Sequence, residues 1–132
     1  MEQTELMLPE YILDKAIRSG SEYGWRRCDI LEVVEAAKQT QLGNLGGQVQ
    51  YVLPDATCEL YWLRYDPKDQ KTDEDWISYC NRTADECSEQ LKMLFELDIE
   101  KEATSAFEIL ENIENLSDYQ VFILYLQACK NN

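Results

Sequence analysis

Two strand-like runs joined by a turn constrain this fold more than any other feature of the chain. Residues 48–53 read Gln-Val-Gln-Tyr-Val-Leu, residues 54–57 read Pro-Asp-Ala-Thr, and residues 58–65 read Cys-Glu-Leu-Tyr-Trp-Leu-Arg-Tyr. β-Branched and aromatic residues dominate both runs, and Pro-Asp between them suits a tight turn. The pair therefore predicts an antiparallel hairpin. By period-two alternation Cys58, Leu60 and Trp62 share one face of the second run, and Tyr61, Leu63 and Tyr65 share the other. Both faces are apolar or aromatic, so both need a cover. A lone hairpin is only marginally stable in water, and residues 23–27 are a candidate extra strand.

The remainder reads as helical. Residues 9–18 carry Ile12, Ala16 and Ile17 at helical spacing, with Pro9 suited to a first turn and Ser19-Gly20-Ser21 as a stop. A second helix is expected over residues 29–41, with Asp29 as cap and Glu32 three residues on. Gly43 would terminate it, and the glycines at 43, 46 and 47 would cap this helix and lead tightly into the hairpin. After a polar loop at 66–72, acids at 73–75 suit a helix start. Trp76, Cys80, Thr83, Ala84, Cys87, Leu91 and Leu94 then repeat at three and four, as do Ile99, Ala103, Ala106, Phe107, Leu110 and Ile113. Ser117 with Gln120 reads as a capping box before a buried helix containing Val121, Phe122, Leu124, Tyr125 and Leu126. The predicted architecture is α+β in one domain, residues 1–132: mostly helical, with a small antiparallel β-hairpin or three-stranded sheet packed by helices. At 132 residues the chain can bury one real core without disulfide or metal.

Composition excludes much chemistry. The chain has no histidine, so Ser-His-Asp and Cys-His catalytic arrangements cannot form within it. Its five cysteines are odd in number and lack Cys-x-x-Cys spacing, so all five are expected to be reduced, buried and apolar in role. No cofactor and no metal are expected. Residues 66–73 lack the alternating acids and central glycine of an EF-hand calcium loop. The glycines at 43–47 run from helix to strand, the reverse of a phosphate-binding loop. Arg26 and Arg27 form a basic cluster too small for nucleic acid, and are expected to pair with acids inside the domain. The first residues do not read as a signal peptide, and no apolar run approaches a membrane span, so a cytoplasmic location is expected.

Charge is the informative quantity. The chain carries 26 acids against 12 bases, and residues 73–132 hold 14 of those acids with only 4 bases. A field of this sign repels nucleic acid and anionic membranes and speeds encounter with basic proteins. Few lysines interleave with the acids at the four-residue step that stabilises helices. A surface that recognises a cationic protein is therefore predicted, rather than an enzyme site. Its candidate contacts are Asp73, Glu74, Asp75, Asp85, Glu86, Glu89 and Glu100, with Tyr79 as an aromatic anchor at the rim. A rival location is the hairpin and its exit, through Tyr61, Tyr65 and Asp66.

The segments Tyr23-Gly24-Trp25-Arg26, Gly46-Gly47-Gln48-Val49-Gln50-Tyr51 and the run from Pro54 to Trp62 resemble the small immunity proteins of bacterial polymorphic and contact-dependent growth-inhibition toxins. The resemblance covers roughly residues 20–66. It implies a 1:1 complex of a monomer with the C-terminal toxin domain of a larger protein, often a nuclease, whose active site or substrate groove it blocks. These families are diverse in fold, so the resemblance fixes no architecture. The alternative of another class is an acidic nucleic-acid mimic or regulatory adaptor.

Overall fold

The computed structural model describes residues 4–129. A 3₁₀ turn, Thr4–Met7, precedes a single turn of helix, α1 (Glu10–Leu13). Two short strands, β1 (Ile17–Ser19) and β2 (Glu22–Trp25), lead into helix α2 (Arg27–Gln39). The long strand β3 (Gly43–Val52) and β4 (Thr57–Tyr65) form the expected hairpin. Helices α3 (Trp76–Phe95) and α4 (Ile99–Ala106) follow, then 3₁₀ turns at Glu108–Leu110 and Leu116–Tyr119. Two strands close the chain, β5 (Gln120–Ile123) and β6 (Tyr125–Gln127). The strands make an antiparallel sheet in the order β1-β2-β5-β3-β4, with β6 paired to the start of β3. The fold is α+β as expected, but its sheet is six-stranded rather than a hairpin or three strands.

Helices α2 and α3 pack against each other and against β3. Their apolar stripes, Ile30, Val33, Val34 and Ala37 on α2 with Cys87, Leu91 and Leu94 on α3, meet Val49, Tyr51, Leu60 and Phe122 from the sheet. Each large apolar side chain fully buried here stabilises by about 1.5–3 kcal/mol. Trp25 is completely buried, and its indole N–H donates to the Ile12 carbonyl at 2.9 Å, which fixes α1 over the core. Among the described residues no helix is long and apolar enough to cross a membrane.

Several local expectations are corrected. The helix expected over residues 9–18 stops after one turn. Ser19 is then not a helix stop but the end of β1, and residues 20–21 form the turn of the β1–β2 hairpin, with Gly20 at φ 63°. The candidate strand at 23–27 is β2, shifted to Glu22–Trp25. Helix α2 begins two residues before Asp29, capped at Arg26 with no side-chain hydrogen bond. It ends through Gln41 at φ 62° rather than through Gly43. Helix α4 covers only the first half of residues 99–113. The expected final helix is instead β5 and β6, each too short for a stable helix and rich in β-branched and aromatic residues.

The alternation along β4 is also re-phased. Gln48 pairs with Arg64 while the next residue, Val49, pairs with Leu60, so Tyr61, Trp62 and Leu63 bulge from the edge strand. The bulge puts Cys58, Leu60, Leu63 and Tyr65 into the core together and leaves Tyr61 and Trp62 outside. An edge strand so interrupted is a poor template for pairing with another chain.

Cys58, Cys80 and Cys87 are buried, whereas Cys28 and Cys129 are exposed, against the expectation that all five are interior. Burial raises the thiol pKa of Cys80 to about 11 and that of Cys87 to about 12, so neither is a thiolate near neutrality. Cys87→Ala removes a fully buried sulfur and should cost about 1–2 kcal/mol in chemical denaturation, with no metal released. A variant as stable as wild type would show that the α3–β4 contact is loose.

Candidate functional site

The acids of α3 and the loop before it do not behave as one population, and Arg82 is what divides them. Its guanidinium binds Glu74 in a two-pronged pair, Nε to Oε2 at 2.7 Å and Nη2 to Oε1 at 2.9 Å. Its Nη1 donates to Glu86 at 2.9 Å, one helical turn on. Nη2 also reaches the carbonyls of Lys68 and Asp69, both at 3.0 Å. Planar bidentate pairing of this kind is the strong form of ion pair. One arginine thus rivets the loop at 66–75 onto α3.

The same loop is clamped a second time. The Asp66 N–H donates to the side-chain oxygen of Gln90 at 2.7 Å, and the Gln90 amide donates back to the Asp66 carbonyl at 3.1 Å. The Lys68 N–H donates to Glu86 at 2.9 Å. Between loop and helix lies a cleft of about 430 Å³ lined by Asp66, Lys68, Asp85, Glu86, Glu89 and Gln90. Asp66 from the hairpin exit thus joins Asp85, Glu86 and Glu89 of the helical face in this cleft, whereas Tyr61 and Tyr65 do not line it.

Each predicted contact now has a position. Asp85, Glu89, Glu100 and Asp73 are exposed, and among the described residues no basic side chain is within ion-pair distance of them. Asp66 is exposed with Arg64 at 3.0 Å. Asp75 caps α3 by accepting the Ser78 N–H at 2.8 Å, and stays exposed. Glu74 is different: its side chain is 10% exposed and already neutralised, so it is no partner contact. Glu86 is likewise committed to Arg82 and Lys68. Tyr79 is not at a rim but 2% exposed, donating its hydroxyl to Gln127 at 2.9 Å. Tyr65 is fully buried, its hydroxyl donating to the Ile123 carbonyl. Both tyrosines are core residues whose polar tips are satisfied internally.

Tyr61 stands out at 68% exposure, and the bulge sets Trp62 beside it at 39%. Their rings meet edge to face at 5.3 Å, and Trp62 stacks on Phe107 with centroids 6.4 Å apart. The Trp62 indole N–H donates to Glu102 at 3.0 Å. Sequence reasoning placed Trp62 in the core because it continued the alternation through the bulge. Three residues of the same edge strand, Leu63, Arg64 and Tyr65, separate this aromatic pair from Asp66.

The Arg82 hydrogen bonds hold the Glu74 carboxyl at a pKa of about 2, against an ordinary 4.5. A depressed carboxylate pKa contributes stability that is complete above about pH 4.5 and is lost as pH falls through about 2. Glu74→Gln should lower the melting temperature at neutral pH by several degrees and flatten its decline below pH 5. An identical acid limb in wild type and variant, read by thermal melts across that range, would contradict the Arg82 rivet.

Among the described residues no group of three or more His, Cys, Asp or Glu is arranged to hold a metal ion. Among the described residues Arg26 and Arg27 form no ion pair with an acid, against the expectation. They bind main-chain carbonyls, of Asp118 and Phe95 respectively. Comparison of the chain with protein-family models, with curated proteins and with solved structures finds no match.

Proposed function

We propose that the chain is a binding protein that neutralises a cationic protein, in the manner of the immunity proteins it resembles. The observation that carries this reading is the division of acids on α3 and the loop before it. Glu74 and Glu86 are satisfied inside the domain, while Asp85, Glu89 and Asp73 face solvent with no basic group within 4.0 Å among the described residues. Like charge left uncompensated on a rigid surface costs stability, and a basic partner relieves that cost. The exposed Tyr61–Trp62 pair supports the same reading, since aromatic anchors of this type dominate interface energetics. Rigidity matters as well: the loop is doubly fastened, so little ordering entropy is lost on docking.

The test is co-expression with the C-terminal domain encoded by the gene immediately upstream. Rescue of growth and co-purification at 1:1 are the expected results. A toxic domain that the chain neither binds nor neutralises would overturn the reading.

A further inference from the structure

A second cavity, of about 730 Å³, lies away from the acidic cleft and has the opposite character. It is lined by Arg26 and Arg27 at the start of α2, Phe95 at the end of α3, and Asp118 and Gln120 before β5. Chain segments as far apart as residues 26 and 118 meet here, so no local pattern reveals it.

The two arginines are unusual in a molecule with a net charge of −14. Among the described residues neither has a carboxylate within 4.0 Å, although acids outnumber bases two to one. Each is held by a main-chain carbonyl instead: Arg27 Nη2 donates to Phe95 O at 2.7 Å, and Arg26 Nη1 to Asp118 O. A guanidinium has five N–H donors, so most remain available to a ligand. The Arg27 guanidinium also lies over the Phe95 ring, 4.6 Å from its centroid, which fixes its plane and adds a flat apolar wall. Held in place but not neutralised, the pair is preorganised for an anion.

We propose that this cavity binds a small organic anion: one carboxylate or phosphate monoester on a flat apolar body. The volume lies within the usual range for small-molecule sites, about 300–1,000 Å³. The charge balance limits the ligand. Among the lining residues Arg26 and Arg27 are cationic and Asp118 is the one acid, so the lining itself carries one net positive charge for the anionic head. Since Arg27 covers one face of the Phe95 ring, the flat body packs on the open side of this guanidinium–ring stack. This inference is independent of the acidic cleft and of any protein partner.

Titration of the purified full chain with phenyl phosphate, followed by amide NMR shifts, is the test. Saturable shifts at Arg27, Cys28 and Phe95 are expected, with binding about tenfold weaker for inorganic phosphate and weaker still for neutral benzyl alcohol. Arg26→Gln with Arg27→Gln should lose binding by about tenfold or more, with a melting temperature lowered by the loss of the two carbonyl contacts but a cooperative melt retained. Should that variant fail to fold, the exposed Cys28 thiol on the cavity wall gives a readout in the unaltered protein: phenyl phosphate should slow its alkylation while leaving Cys129 unaffected. No saturable shift at these amides, equal affinity for inorganic phosphate or benzyl alcohol, or unprotected Cys28 would each overturn the assignment.

Discussion

Gly47→Ala is expected to abolish folding, although it adds a single methyl group. A Cβ at Gly47 would lie 1.9 Å from the Ile123 carbonyl oxygen and 2.7 Å from its carbon. These are backbone atoms of β5, so no side chain can rotate away. Strand β3 is central: residues 43–46 pair with β6, and residues 47–52 pair with β4 and β5. Gly46, beside it, takes φ 89°, and a Cβ there would approach the Tyr65 carbonyl to 1.8 Å. The two glycines let β3 bend so that one strand serves both halves of the sheet. Forcing β3 and β5 apart would break the ladder at its centre and displace Val49 and Phe122 from the core. The cost should exceed about 4 kcal/mol, a large share of the 5–15 kcal/mol that such a domain has. Gly20→Ala is the contrast: it also needs a positive φ, but nothing lies within 4 Å, so about 1 kcal/mol is expected. Soluble yield and circular-dichroism melts separate the two. A Gly47→Ala protein melting within a few degrees of wild type would refute the close approach of β3 and β5.

These glycines also show why part of the fold was hidden in the sequence. Three glycines between a helix and a strand look like a cap, because sequence cannot show which distant backbone approaches them. The hairpin at 48–65 and the faces of α2 and α3 were legible, since each is set by local periodicity on a half-buried element. Strand β5 was not. It lies between β2 and β3 with Val121, Phe122 and Ile123 all buried, so the alternation that marks a strand is absent. The β4 bulge was invisible for another reason: an insertion into one strand is defined only against its partner. At the candidate site, Asp85 and Glu89 were correctly read as off the apolar stripe, because helical phase alone puts them there. Tyr65 and Tyr79 were misplaced, because a tyrosine's hydroxyl reads as a surface feature until its buried acceptor is known. Arg82 with Glu86 at a four-residue step was a visible signal. Its larger role with Glu74 depended on how the loop folds back.

Under the proposed function, reversing charge on the acidic cleft should slow partner association by about tenfold or more at low salt, with a smaller change in dissociation. The substitutions are Asp85→Lys with Glu89→Lys. Both residues are exposed and unpaired among the described residues, so the melting temperature should hold, as surface changes usually shift stability by less than about 0.5 kcal/mol. Glu86 does not belong in the set, because Glu86→Lys would put a second cation against Arg82 and release the loop, mixing folding with binding. The wild-type advantage should shrink as salt rises, since at 0.15 M screening already acts over about 8 Å. Trp62→Ala serves as the complement. It removes an aromatic contact without changing charge, so it should speed dissociation and leave the salt dependence of association intact. Stopped-flow association and dissociation rates for the three proteins across salt distinguish the roles. Association that is the same in wild type and the double reversal at low salt would exclude the cleft as the steering surface. If Trp62→Ala also left dissociation unchanged, the partner would have to dock on another face of the molecule.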